Sequence, residues 1–119
     1  MSAMDTPQLH LIEEFLDLAT ARQSLLVSNI ANVDTPGYRT QDVDFHSEMM
    51  RALNQLPGMP VLAVVRDVPG LLSRPDGNNV SVDREGLLLS QVQLQFNAAS
   101  ELVKDQFKTI NIAIDRGGS

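Results

Sequence analysis

Cysteine is absent from the 119-residue chain, and aromatic residues are scarce, at 4% with no tryptophan. Without cysteine the chain can form neither a disulfide nor a thiolate metal site, so thiol chemistry does not indicate its redox compartment. With so few rings, a core must be built from aliphatic residues, methionine and four phenylalanines. A chain of this length corresponds to one domain. We therefore expect one domain built mainly by helix packing.

Clustered basic residues are also missing. Nine Lys and Arg stand against fifteen Asp and Glu, which gives a net charge of −6, whereas binding to nucleic-acid phosphates requires clustered cations. The sequence has no apolar run near the ~20 residues of a membrane span, and its N-terminus has no basic region followed by a long apolar stretch. We expect a soluble protein that neither binds nucleic acid nor inserts into a membrane, and whose export uses no cleavable Sec signal.

The chain does contain two long helical patterns. In the first, apolar or small residues recur at alternating spacings of three and four, with Gln23 as the polar exception. The residues of this first seam are Leu9, Ile12, Leu16, Ala19, Leu26, Ile30 and Val33. The periodicity predicts a helix over residues 6–32, roughly 40 Å long, with Thr6 as its N-cap and Pro7 in its first turn.

A second seam follows from Val82 and is interrupted once, at Glu85. Its residues are Leu89, Val92, Phe96, Ala99, Val103, Gln106, Ile110 and Ala113. Glycine in a helix interior is about 1 kcal/mol less favourable than alanine. Because of Gly86, the predicted helix begins either at Val82 or near Leu87. The glycine pair at 117–118 is expected to follow its end.

Residues 34–81 separate the two seams and contain five of the six prolines. Within them, VLAVV at 61–65 favours a β-strand, and RPDGNN from Arg74 is typical of a turn. The predicted organisation is an N-terminal helix at 1–33, a turn and loop-rich middle segment, and a C-terminal helix at 82–119. The expected fold is mainly α, a coiled-coil hairpin of two long helices whose middle segment carries a short β element.

Both helices have more apolar residues than a contact between two helices uses. The residues outside the seams are Leu11, Phe15, Leu18 and Leu25 on the first helix and Leu88, Leu94, Leu102 and Ile112 on the second. Leaving such side chains in water forgoes about 1.5–3 kcal/mol each. A hairpin packed only on itself leaves these residues uncovered. Either the middle segment folds over them, or other chains do and the protein is an assembly subunit.

The segment SNIANVDTPGYR ends the first helix. Pro36 disfavours helical geometry at Thr35, and the Pro-Gly pair suits the two central positions of a type II turn, where Gly37 takes a positive φ. Asn29 and Asn32 can bond the last carbonyls of the helix or, if buried between neighbours, bond one another across subunits. On physical grounds alone, an ordinary helix end followed by a turn is the simpler explanation.

The residues around this turn resemble a known family. LLVSNIANVDTPGYRTQDVDF, residues 25–45, is similar to the N-terminal signature of flagellar axial proteins, and its tail after the turn resembles that of proximal rod members. The matching motif and turn residues are Asn29, Ala31, Asn32, Thr35, Pro36, Gly37 and Tyr38. GNNVSVDRE, residues 77–85, and the helix after it resemble the C-terminal half of the same proteins. Gly86, Val92 and Phe96 depart from the family's usual residues.

The resemblance implies a structural subunit of the bacterial flagellar basal-body rod, the hollow driveshaft that crosses the periplasm and serves motility. In that family the terminal helices pair into an inner tube of coiled coils, and subunits pass unfolded through the flagellar type III export apparatus. The implied partners are copies of the chain, other rod and basal-body proteins, and that apparatus. The predicted assembly seam is Leu9, Ile12, Leu16, Leu26, Ile30, Val33, Leu89, Val92, Phe96, Val103 and Ile110.

The sequence contains no catalytic constellation. In DVDFHSE, a strand would place Asp42, Asp44, His46 and Glu48 on one face, a conceivable hard-metal site, but solvated polar residues after a turn are the commoner cause. We therefore expect no enzyme, no metal and no cofactor. The alternative function is a cytosolic helical-hairpin adaptor that binds one amphipathic partner helix.

Overall fold

The computed structural model describes residues 7–54 and 63–117. The elements in this part of the chain are α1 (Pro7–Ala31), β1 (Gln41–Val43), α2 (Phe45–Leu53), β2 (Val65–Asp67) and α3 (Val82–Gly117). The terminal helices have 25 and 36 residues and pack against each other as an antiparallel pair. The predicted mainly α fold with two long terminal helices is confirmed.

The boundaries of α1 are within one residue of the predicted ones. The helix begins at Pro7, and the predicted N-cap Thr6 lies outside the described residues. After Ala31 the chain tightens, because the backbone N–H of Val33 donates to the carbonyl of Ile30 at 3.1 Å. Such shorter-range bonds are typical of the last turn of a helix. The helix therefore ends before the turn at residues 35–38, which we call the signature turn.

The start of α3 is at Val82, so the prediction of a start near Leu87 is wrong. Ser81 explains the earlier start, because its hydroxyl accepts from the backbone N–H of Arg84 at 3.3 Å and its carbonyl from that of Glu85 at 3.0 Å. This capping holds the first turn despite Gly86. At the other end, Gly117 is the last residue of the helix rather than the first one after it.

The middle segment contains a two-stranded antiparallel sheet and a short helix. β1 pairs with β2 so that Val43 lies opposite Val65. The strand predicted at 61–65 is therefore shifted toward the C-terminus; residues 61–62 lie outside the described residues, and 63–64 precede β2. Neither β1 nor α2 was expected from the sequence. Asp44 starts α2 as its N-cap, accepting from the backbone N–H of Ser47 at 3.1 Å.

The core lies where α1, α2 and the first half of α3 meet. Ala19, Leu26 and Val92 are its buried centre, and the partly buried residues packed against them are Phe45, Leu88, Leu89 and Phe96. The Phe15 ring meets the Phe45 ring edge-on with a centroid distance of 5.1 Å, and Leu18 is buried. The middle segment thus covers part of the additional apolar face of α1.

Candidate functional site

The signature turn has the predicted type II geometry. The backbone N–H of Tyr38 donates to the carbonyl of Thr35 at 3.2 Å, and Gly37 has a φ of 76°. Positive φ at the third residue of the turn is the feature that requires glycine there. The turn follows α1 directly and leads the chain toward β1.

A second turn lies against the first. The backbone N–H of Gly77 donates to the carbonyl of Arg74 at 2.9 Å, and Gly77 has a φ of 85°. The backbone N–H of Gly37 donates to the carbonyl of Asp76 at 2.8 Å, and a Cβ on Gly77 would lie 3.4 Å from the Gly37 Cα. The two turns therefore pack backbone against backbone, and glycine is needed in both.

Two asparagines that follow the second turn bind backbone groups in and next to the first. The Asn78 amide donates to the carbonyl of Asn32 at 2.9 Å and to that of Thr35 at 2.8 Å, while the Asn79 Oδ1 accepts from the backbone N–H of Thr40 at 2.6 Å. Both side chains are buried. Asn78 thereby adds a second donor to each of two carbonyls that already accept the backbone N–H groups of Thr35 and Tyr38.

Asn29 is the centre of this site, because every hydrogen-bonding position of its side-chain amide is used. Its Oδ1 accepts from the Tyr38 hydroxyl and the Gln41 backbone N–H, each at 3.1 Å. Its Nδ2 donates to the Gln41 carbonyl at 2.8 Å and to the Glu85 Oε2 at 2.9 Å. Of the two roles open to the asparagines, Asn32 takes the first, since its Nδ2 donates to the carbonyl of Ser28 at 2.8 Å. Asn29 is bonded within its own chain.

Glu85 is the residue of α3 that binds Asn29. Its side chain is fully buried, and its Oε1 accepts from the Arg84 guanidinium at 2.7 Å while Oε2 accepts from Asn29. In the sequence this residue is only an interruption of the second seam, because nothing in the spacing indicates a partner 56 positions earlier. Arg74 adds two further bonds, to the carbonyls of Val33 and Val80. We call residues 29–41 and 74–85 together the clasp.

The four alternating polar residues after the turn do not share one face. Asp42 lies in β1 and forms a bidentate ion pair with Arg22, whose Nε donates to Oδ1 and whose Nη2 donates to Oδ2, each at 3.1 Å. The chain becomes helical after Val43. Asp44 caps α2, and the backbone N–H of Ser47 together with Arg66 lowers the pKa of its carboxyl. Glu48 pairs with Arg51 at 2.6 Å. Within residues 7–54 and 63–117, no group of three or more such side chains could hold a metal ion.

The predicted assembly seam lies mostly inside the hairpin. Leu9, Leu26 and Val92 are buried, and the partly buried members are Ile12, Leu16, Ile30, Val33, Leu89, Phe96, Val103 and Ile110. Gln23, the polar exception of the first seam, is exposed. Among the described side chains of α3, Ala99 is the last buried one. Burial is therefore deepest beside the clasp and decreases toward the far end of α3.

A second apolar surface stays exposed. We call it the outer stripe, and it consists of Leu87, Leu94, Leu102 and Ile112, which are between 45% and 69% exposed. At about 100° per residue, Leu87, Leu94 and Ile112 lie about 140–160° around α3 from the buried Val92, and Leu102 lies about 80° from it. Among the described residues, no helix is long and apolar enough to cross a membrane.

Comparison of the sequence with known proteins identifies the family of the chain. The sequence profile of the family described as Flagella basal body rod protein matches residues 16–39, the second half of α1 and the signature turn. The flagellar basal body rod protein FlgB of Borrelia hermsii is 30% identical over 125 residues, covering 87% of this chain and 93% of the relative. FlgB of Salmonella typhimurium is 34% identical, covering 81% and 84%. FlgB of Escherichia coli K12 is 29% identical, covering 88% and 91%. The chain belongs to the FlgB family of flagellar basal-body rod proteins.

Proposed function

We propose that the chain builds the flagellar basal-body rod through α1 and α3, which form a wall element, and through the outer stripe, which contacts neighbouring subunits. The chain is a structural subunit of the rod, as its family is, and it is not an enzyme. It acts at the bacterial flagellum and assembles with other basal-body components in the service of motility.

The outer stripe is the observation that carries the proposal. Burying a leucine stabilises by about 1.5–3 kcal/mol relative to leaving it in water. Leu94 is 69% exposed because the core lies on the opposite side of the same helix, and Leu102 is 54% exposed. Apolar positions repeated along one side of a long helix are typical of a surface that packs on another helix. Copies of the chain and other rod proteins are the proposed occupants.

The three predicted regions then have separate tasks. Residues 1–33 and 82–119 form the tube domain, in which the seam joins α1 to α3 and the outer stripe joins subunits. Residues 34–81 lie outside the tube, where the signature turn directs them. The support for this division is that the clasp holds both helices and the start of the middle segment at one point.

We further propose that the subunit passes unfolded through the flagellar export apparatus, without a cleaved signal, and functions in the periplasmic part of the rod. Two features support this route. The chain has no cysteine, so no disulfide must form or break in transit. Its core is small, since the buried hydrophobic residues described number eight. A cytosolic helical-hairpin adaptor, the alternative function, is not favoured because the relatives are rod proteins.

The test places a charge in the outer stripe and, as a control, elsewhere on α3. Leu94→Asp and Leu102→Asp are expected to abolish basal-body assembly and swimming, because a carboxylate would be buried between subunits. Gln93→Asp adds the same charge at an exposed position on another side of the helix and should leave swimming intact. Export of each variant into the periplasm is measured separately. Normal basal-body yield from both leucine variants would contradict the proposal.

A further inference from the structure

The two helices could pair in more than one register if only apolar contacts decided. Both seams repeat with alternating spacings of three and four, so sliding α3 along α1 by seven residues re-forms apolar contacts over most of the shared length. Such a slip moves one helix by roughly 10 Å. Something other than the seam must therefore select one register.

We infer that Asn29 and Glu85 are the specificity-determining residues that allow α1 and α3 to pair in a single register. They are fully buried, they lie on the two facing helices, and the Asn29 Nδ2 donates to the Glu85 Oε2 at 2.9 Å. The buried core cluster on the same two helices is apolar, with Leu26 about one turn before Asn29 and Val92 about two turns after Glu85. Polar groups in such surroundings must find partners, because an unpaired one is strongly unfavourable.

The native register satisfies both residues. Asn29 bonds Tyr38, Gln41 and Glu85, and the remaining carboxylate oxygen of Glu85 accepts from Arg84. In an antiparallel pair, a residue beyond Glu85 takes its place opposite Asn29 when α3 slides. A slip of seven residues brings Val92 to that position, and the amide and the carboxylate then lose each other. The pair thus penalises every register except one.

A buried polar pair can select the register of two helices without adding to the stability of the fold. Replacing a buried polar pair by apolar residues is often neutral or stabilising, whereas a single buried polar residue can fix the register of paired helices. The side chains of Asn78, Asn79 and Arg74 bond backbone groups in and next to the two turns rather than the facing sides of the helices. They hold the loop, and the Asn29 and Glu85 pair holds the alignment of the helices.

The experiment measures the register directly in the free, full-length chain. Because the chain has no cysteine, cysteines introduced at the exposed positions Ser24 on α1 and Ala98 on α3 carry two spin labels. Electron paramagnetic resonance gives the distance between the labels, at a concentration where sedimentation shows one chain per particle. The wild-type background should give one narrow distance.

The double variant Asn29→Leu with Glu85→Leu should remain helical and denature at an equal or higher urea concentration. Its distance distribution should contain a second population shifted by several ångströms, which is less than the roughly 10 Å slide because the labels are also separated across the helix pair. The conservative variant Glu85→Gln, which keeps an acceptor for Asn29, should retain the single distance. One unchanged narrow distance in the double variant would overturn the inference, and so would loss of its helix content, since the pair would then be needed for folding itself. The result does not depend on rod assembly, so it separates this inference from the proposed function on which it rests.

Discussion

The two ends of the helical hairpin differ in how they are held together. At the clasp end, Leu26, Asn29, Glu85 and Val92 are buried to 1% exposure or less, and hydrogen bonds cross between distant parts of the chain. At the opposite end, which we call the open end and which comprises residues 7–17 and 100–115, Leu9 is the buried residue.

Polar contacts described at the open end, such as Lys104 with Glu101, run along one helix. Its side chains also stay exposed where the seam continues: Ile114 is 57% exposed although it lies near the core side of α3. Stability within a protein follows local burial and bonding. We therefore expect the clasp end to remain folded in the free chain while the open end opens readily, ready to pack on neighbours.

The largest expected effect comes from a charge at the clasp end. Val92→Asp places a carboxylate in the buried centre of the core and should lower the free energy of unfolding by about 4 kcal/mol. Leu94→Asp, two residues later, adds the same charge at a position that is 69% exposed, and should change stability by less than about 0.5 kcal/mol. Urea denaturation of both variants tests the contrast. Equal losses of stability would show that the two sides of α3 do not differ in the free chain.

The next effect compares the two asparagines of the signature. Asn29→Ala leaves the Glu85 Oε2 and the Gln41 backbone groups without their partner, although the Glu85 Oε1 keeps Arg84, and should destabilise by about 3 kcal/mol. Asn32→Ala removes bonds to Ser28 and Thr35 at a partly exposed position, and should destabilise by about 1 kcal/mol or less. Denaturation midpoints of the two variants, measured under the same conditions, show which substitution destabilises more. A larger loss from Asn32→Ala would place the centre of the clasp elsewhere.

A smaller effect is expected from two glycines with the same backbone conformation. Gly37 and Gly70 both have positive φ, and in each case an added Cβ would meet no atom within 4 Å. Valine at either position should therefore introduce similar strain, about 1–3 kcal/mol. In the proposed rod, only Gly37→Val strains the turn that directs the middle segment out of the tube, so only this variant should reduce basal-body yield and swimming. Wild-type yield from Gly37→Val would mean that the turn is merely a helix end.

The smallest effect has the opposite sign. Gly86 lies inside α3, and a Cβ there would meet no atom within 4 Å. Gly86→Ala should therefore stabilise the free chain by about 0.5–1 kcal/mol, since alanine favours the helix and restricts the unfolded chain. Thermal denaturation measures the shift. Destabilisation would indicate that the start of α3 needs the freedom of glycine.

The helices, the turn and the clasp differ in how far the sequence could predict them. The long helices and the turn depend on local signals, namely the spacing of apolar residues and the Pro36–Gly37 pair, and both were predicted. α2 is a nine-residue helix whose pattern is too short to stand out. Asp44, followed by a run of helix-forming residues, is the signal that could have indicated it.

The clasp could not be predicted in the same way because its bonds join distant residues. Glu85 interrupts a seam, and its meaning appears only once Asn29 is known to face it across 56 positions. Asn78 likewise acts on carbonyls more than 40 positions earlier. Spacing within one segment carries no information about such pairs. The exposure of the outer stripe also required the structure, because the sequence allowed the middle segment to cover it.

Amide hydrogen exchange of the verified monomer tests the difference between the two ends most directly. We predict strong protection in the last turns of α1, around Leu26 and Asn29, and in α3 around Val92, with weak protection in residues 9–16 and 103–115. On assembly into rods the weakly protected regions should become protected. Strong, uniform protection over residues 9–32 in the monomer would contradict the account, because the open end would then be as firmly held as the clasp end.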